Sequence, residues 1–101
     1  MVESKYSIIW SNAAELHLRK IFDYIKEDSI RNAETVLFQI TRKVDALVSN
    51  PERFLLDKYK RENDGSYRAF EIYSFRVSYR ILERSVRILR IRSTQQKPLK
   101  Y

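Results

Sequence analysis

The fold is decided by the run Tyr67-Arg68-Ala69-Phe70-Glu71-Ile72-Tyr73, Ser74, Phe75-Arg76-Val77-Ser78-Tyr79-Arg80-Ile81-Leu82, Glu83-Arg84-Ser85, Val86-Arg87-Ile88-Leu89-Arg90-Ile91-Arg92. Aromatic and branched apolar residues recur here with a period of two, the signature of half-buried strands. The period predicts three strands, Tyr67 to Tyr73, Phe75 to Leu82 and Val86 to Arg92, joined at Ser74 and at Glu83-Arg84-Ser85. Joins this short suit an antiparallel meander. In the middle strand Phe75, Val77, Tyr79 and Ile81 point one way, and Arg76, Ser78 and Arg80 the other. One face is therefore core and the other basic.

Upstream of the meander the period changes. Asn63-Asp64-Gly65 is a strong turn signal, and Phe54, Leu55 and Leu56 supply an apolar anchor in the otherwise irregular stretch before it. Ala33, Val36, Leu37, Ile40, Val44, Leu47 and Val48 form a helical stripe that stops at Asn50-Pro51, which predicts a helix over about 30–49. Ala14, Leu18, Ile21, Phe22 and Ile25 form another, over about 12–27. Asn12 with Glu15 fits a capping box for that first helix, and Ser11 is a good cap as well. The short join at Asp28-Ser29-Ile30 predicts an antiparallel helical hairpin. Residues 5–10, Lys-Tyr-Ser-Ile-Ile-Trp, read as a first strand whose place in the sheet, edge or inner, periodicity leaves open. The tail Ser93 to Tyr101 reads as extended or poorly ordered. The expected architecture is one α+β domain over residues 1–101, a small antiparallel sheet with both helices packed on one face.

Composition narrows the chemistry. The chain has 101 residues, no cysteine, one glycine (Gly65) and one histidine (His17). Thiol nucleophiles, cysteine zinc sites and multi-histidine metal sites are excluded, as are glycine-rich phosphate loops. No metal and no cofactor are expected. No apolar run approaches the roughly 18 residues of a membrane span, and Met1 to Tyr6 lacks the blocks of a secretory signal, so the default expectation is a cytoplasmic protein away from membranes.

The net charge of +7 is unevenly placed: residues 1–52 hold 7 basic and 8 acidic side chains, residues 53–101 hold 13 and 5. The asymmetry points to a polyanionic partner met by the second half. Arg68, Arg76, Arg80, Arg87, Arg90 and Arg92 all fall on the expected sheet, interleaved with Tyr67, Phe70, Tyr73 and Tyr79. Arginines for phosphate and aromatic faces for unpaired bases make single-stranded RNA the natural first guess. RNA cleavage by 2′-OH attack needs only an acid or base and cationic stabilisation. Tyr101, Lys97 and Lys100 are the candidates for proton transfer, and Arg76, Arg90 and Arg92 for charge stabilisation. His17 reads as a surface or boundary residue, and Glu71 and Glu83 as partners for arginines on neighbouring strands.

Taken in order, Trp10-Ser11-Asn12-Ala13-Ala14-Glu15-Leu16, Ile21-Phe22-Asp23-Tyr24-Ile25, Leu47-Val48-Ser49-Asn50-Pro51, Phe75 to Ile81 and Ile88 to Arg92 resemble the RelE/ParE superfamily of toxins from type II toxin–antitoxin (plasmid stabilisation) systems. The long helical hairpin looks more like the ParE branch. The resemblance implies a toxin neutralised by a cognate antitoxin. ParE-type members poison DNA gyrase, and RelE-type members cut mRNA on the ribosome. It implies that Arg76 is the arginine of an aromatic-Arg-x-x-Tyr strand that contacts the scissile phosphate in RelE-type enzymes, with Tyr101 and Lys97 near the C-terminal tyrosine and basic residue those enzymes use. Arg68, Arg80, Arg90 and Arg92 are the candidates for contacting nucleic acid or another target. After the last strand this chain has Arg92-Ser93-Thr94 where many relatives carry a histidine. Three readings stand: a toxin that binds its target, a ribosome-dependent endoribonuclease, and a binding module without toxicity.

Overall fold

The computed structural model describes residues 6–101. Strand β1 (Ser7–Trp10) leads into helix α1 (Asn12–Lys26) and helix α2 (Ile30–Asp45), which runs into a 3₁₀ turn, Ala46–Val48. Strands β2 (Tyr67–Ile72), β3 (Phe75–Ile81) and β4 (Ser85–Ser93) complete the fold. Lys5, the expected start of the first strand, and most of the segment tested for a secretory signal lie outside the described residues.

Both helices are capped by a serine. The Ser11 hydroxyl accepts from the Ala14 N–H at 3.0 Å and the Ser29 hydroxyl from the Asn32 N–H at 3.0 Å, each satisfying a donor that the first turn leaves open. Ser11 rather than Asn12 is thus the cap of α1, and the helix begins at Asn12. Glu15 in the first turn of α1, and Lys26, Arg42 and Lys43 in the last turns of the two helices, complement the helix dipoles. The α-helical part of α2 ends at Asp45, a few residues before the expected end, because the chain tightens into the 3₁₀ turn that carries Leu47 into the core.

The strand order is β1-β4-β3-β2. β2, β3 and β4 form the expected antiparallel meander, with Phe70 opposite Val77 and Val77 opposite Ile91. β1 takes the edge beside β4 and runs parallel to it, from Ser7 opposite Ser85 to Trp10 opposite Ile88, so the sheet is mixed. Parallel pairing follows from the connection, since the helical hairpin and the meander return the chain in the direction it started.

The register shifts between Ser78 and Tyr79, which face Arg90 and Ile88. Leu89 is the extra residue of a bulge, and that insertion is why Ile88 and Ile91, three apart, both reach the core. The core joins Ala14, Val36, Ile40, Val44 and Leu47 from the helices to Phe70, Val77, Tyr79, Val86, Ile88 and Ile91 from the sheet. Tyr79 is fully buried, and its hydroxyl donates to the Pro51 carbonyl at 2.7 Å, so the phenol enters the core without an orphaned donor. Burial pushes its pKa up to about 12.

Beyond Trp10 the outer edge of β4 is taken over by α1. The Ser11 hydroxyl donates to the Leu89 carbonyl at 2.9 Å, and His17 Nδ1 accepts from the Ile91 N–H at 3.1 Å. His17, a boundary residue as expected, stands in for a missing strand neighbour. Its Nδ1 must be unprotonated to accept, and burial, then the charges of Lys20, Arg90 and Arg92, hold its pKa below the usual value.

Candidate functional site

The helices cover one face of the sheet. The register puts Tyr67, Ala69 and Glu71 of β2, Arg76, Ser78 and Arg80 of β3, and Arg87, Arg90 and Arg92 of β4 on the other. The segment before β2 folds along the free edge of that strand, with the Asp57 N–H on the Tyr67 carbonyl at 2.9 Å and the Ala69 N–H on the Leu55 carbonyl at 3.2 Å. The turn that closes it is built on Asn63, whose side chain donates to the Tyr67 carbonyl at 2.8 Å and accepts from the Gly65 N–H at 2.9 Å. Gly65 has φ of +99°, a conformation that favours glycine.

This edge segment delivers Asp57 to the site. Asp57 is 2% exposed, and its carboxylate is fully engaged. Oδ1 accepts from Arg76 Nη2 at 2.9 Å and from the Tyr59 N–H at 3.0 Å, and Oδ2 accepts from the Tyr101 hydroxyl at 2.6 Å. Burial raises its pKa, but the hydrogen bonds from Tyr101, Arg76 and Tyr59, together with the Arg76 charge, outweigh that and hold it below the usual value. Arg76 also gives Nη1 to Glu71 Oε2 at 3.0 Å, across the register pair of β2 and β3. Its guanidinium lies over the Tyr59 ring, 4.8 Å from the centroid. Its buried Nε has no partner among the described residues.

The tail Ser93 to Tyr101, expected to be extended or poorly ordered, docks on this face. The Thr94 N–H bonds the Ser74 carbonyl at 2.8 Å, Arg92 Nη2 reaches the Lys97 carbonyl at 3.0 Å, and the Tyr101 N–H meets the Tyr59 carbonyl at 3.0 Å. The Arg61 N–H donates to the Tyr101 carbonyl. Burial and the bond to Asp57 push the Tyr101 hydroxyl up to about 12 even though Arg90 pulls the other way.

Cations cover the aromatic rings of the face. Arg90 lies 4.3 Å from the Tyr101 centroid, Arg80 4.7 Å from that of Tyr67, and Lys60 lies 4.7 Å from Tyr67 and 5.4 Å from Tyr101. Beside them is a small cleft with about 50 Å³ of free space, lined by Arg76, Arg90, Arg92 and Ser78 and bounded by Pro98 and Leu99 of the tail. That is room for one or two waters.

Of the residues singled out in the sequence, Arg76, Arg90 and Arg92 meet at this cleft, with Tyr101 beside it. Arg80 is on the same face, next to Tyr67 and Ser66. Lys97 contributes its carbonyl rather than its ammonium group. Arg68 is on the opposite face, paired with Tyr79, and its guanidinium donates to the carbonyls of Phe54 at 2.8 Å, Glu52 at 3.3 Å and Gly65 at 3.3 Å. There it fastens the edge segment to the sheet. Phe70 and Tyr79 are core, so they offer nothing to a nucleic-acid base. Glu71 pairs with an arginine as expected, whereas Glu83 makes no ion pair among the described residues. Sequence reading missed Asp57, whose one signal is that it is the only acid between Glu52 and Glu62.

A model of the ParE toxin of type II toxin–antitoxin (parDE) systems matches residues 8–98. The structure is similar to one from the chromosomal ParDE toxin–antitoxin system of P. aeruginosa, with TM-score 0.69 and 22% identity over 87% of this chain and 95% of that one. It is also similar to a chain of the RelBE2 toxin–antitoxin complex of Mycobacterium tuberculosis, with TM-score 0.62 and 17% identity over 88% and 98%. At these identities the two likenesses speak for the fold. No curated protein matches the sequence at a significant level. The family match, which covers both helices, strands β2 to β4 and all of β1 but its first residue, makes this chain a member of the ParE toxin family of type II toxin–antitoxin systems, within the RelE/ParE superfamily.

Proposed function

We propose that this chain arrests growth by binding DNA gyrase, as a ParE-like toxin, and that a cognate antitoxin neutralises it. The observation that carries the reading is the double engagement of Asp57, whose buried carboxylate holds both Arg76 and Tyr101. These are the two residues a RelE-like ribonuclease would use. With its hydroxyl donating to Asp57 and its pKa pushed up to about 12, Tyr101 keeps its proton and is a poor general base at neutral pH. Arg76 would bring little net charge to a phosphorane, because two carboxylates already face it. His17, the single histidine, has Nδ1 committed to the backbone of β4. The trio works as a structural lock that fixes the edge segment and tail to the sheet, and the resulting rigid surface suits recognition.

The antitoxin partner is supported by the family and by surface chemistry. A basic sheet face and an outer edge of β1 that pairs with no strand among the described residues offer charge attraction and strand addition to an acidic or amphipathic segment. The alternative, a RelE-like endoribonuclease, draws on the meeting of Arg76, Arg90 and Arg92 at one small cleft. The test is supercoiling of relaxed plasmid by purified gyrase in the presence of this protein. Inhibition that saturates with toxin and is relieved by the antitoxin is the expected result, and full supercoiling at excess toxin would sink the reading.

A further inference from the structure

We propose that the arginine face of the sheet binds the phosphate backbone of duplex DNA. The proposal rests on the gyrase reading for its biological role, since gyrase works on duplex DNA, and it adds that the toxin contacts the nucleic acid as well as the enzyme.

The sheet register supplies the first argument. Arg76 stands directly opposite Arg92, and Arg80 directly opposite Arg87. Like charges at directly opposed positions destabilise a sheet. Asp57 and Glu71 relieve the first pair through Arg76. In the second, neither Arg80 nor Arg87 has a carboxylate within ion-pair distance among the described residues, and Asp64 reaches Arg80 only through the Ser66 hydroxyl. Arg90 and Arg92 likewise have no carboxylate of their own within ion-pair distance among the described residues, and Arg92 gives one guanidinium nitrogen to the Lys97 carbonyl. Four arginines on two neighbouring strands thus form a block of positive charge that no carboxylate among the described residues pairs with directly. A polyanion would.

The aromatic residues decide which polyanion. Single-stranded nucleic acid is held by bases stacking on free aromatic faces. On this face the rings of Tyr59, Tyr67 and Tyr101 each carry a cation, from Arg76, from Arg80 and Lys60, and from Arg90 and Lys60. Phe70 and Tyr79 are inside. Tyr73, with 56% of its surface exposed, sits in the β2–β3 turn and not on the face. What remains is a set of guanidinium groups for phosphate oxygens with no platform for bases, a surface that fits the outside of a duplex and carries no sequence preference.

Fluorescence anisotropy with a labelled mixed-sequence duplex of about 20 base pairs and a labelled oligouridine of equal length, between about 50 and 200 mM salt, tests this. The full-length protein is expected to bind the duplex more tightly than the oligouridine. Its log–log salt slope is expected to be steeper than about −3, as three or more phosphate contacts require. Arg80→Gln with Arg87→Gln is expected to flatten that slope by about two, and the single, exposed Arg87→Gln by about one. Thermal melts show that both variants are folded: the single variant is expected to match or exceed the wild type because a like charge is removed, and the double variant to melt cooperatively although it gives up the Arg80 contacts to Tyr67 and Ser66. No duplex binding at the lowest salt, an unchanged slope in the double variant, or tighter binding to oligouridine would each overturn the proposal. Gyrase supercoiling is measured with the same preparations. Gyrase inhibition without duplex binding leaves the gyrase reading standing and removes this one, whereas duplex binding without gyrase inhibition does the reverse.

Discussion

Tyr101 donates its hydroxyl hydrogen to Asp57 Oδ2 at 2.6 Å, across 44 residues of sequence. The contact fastens the tail to the segment lying along β2, and it places a tyrosine beside an arginine cluster with its hydroxyl hydrogen engaged by a carboxylate. The proposal of a binding rather than a catalytic toxin draws mainly on this bond.

Tyr101→Phe removes the hydroxyl and keeps the ring that packs under Arg90. Hydrogen bonds to charged groups contribute about 1.5–3 kcal/mol, so a loss of about 2 kcal/mol in unfolding free energy is expected from denaturant titration. Growth arrest on expression is expected to persist. A folded but harmless variant would instead point to chemistry at Tyr101.

Asp57→Ala leaves Arg76 facing Glu71 alone and takes the acceptor from Tyr101. Breaking one partner out of a buried pair costs about 3–5 kcal/mol, and because Glu71 remains the lower end is expected here. Asp57→Asn keeps an acceptor and should recover part of the loss. Equal melting temperatures for Asp57→Ala and the wild type would show that the pair does not hold the fold.

His17 makes a pH prediction that the rest of the chain does not obscure, since it is the only histidine. Its folded pKa lies below the ordinary 6.5, so the unfolded chain binds the extra proton first. The stability it contributes is fully present above pH 6.5 and is lost as pH falls through the folded value. The urea midpoint of the wild type is expected to drop between about pH 7.5 and 5, and that of His17→Leu to start lower and vary less. Parallel pH profiles would contradict the role given to Nδ1. Asp57, with its pKa held below 3.8, adds a second loss at more acidic pH.

Ser11→Ala removes a cap and a donor in one step, because the same hydroxyl serves Ala14 and Leu89. The expected cost is about 2 kcal/mol, the upper end for a helix cap. Ser29→Ala, whose hydroxyl is given only the Asn32 contact, is expected to cost about half as much. Similar melting temperatures for the two variants would mean that the Leu89 bond adds nothing.

The meander, the helical hairpin and the basic face were legible because each rests on local periodicity. Val77 and Tyr79 face inward and Arg76 and Arg80 outward, as alternation along β3 requires. The place of β1 was not legible, because Ser7–Trp10 is too short for its pattern to tell a parallel edge from an inner strand. The Leu89 bulge was hidden for a related reason: strict alternation does not foresee an inserted residue. At the site, arginines could be placed on a face but their partners could not. Asp57 meets Arg76 over 19 residues and Tyr101 over 44, and nothing local in Leu55-Leu56-Asp57-Lys58-Tyr59 announces either contact. Arg68 shows the converse, a basic residue that reads as a ligand contact until its three carbonyl partners are seen.

The most direct test of arrest by binding rather than by cutting is to add the purified protein to ribosomes translating a defined mRNA and map the RNA ends, using a preparation shown to arrest growth and with Arg76→Ala as the control. The account predicts intact message at toxin concentrations that inhibit gyrase. Codon-phased cuts that depend on translation and vanish in Arg76→Ala would contradict it.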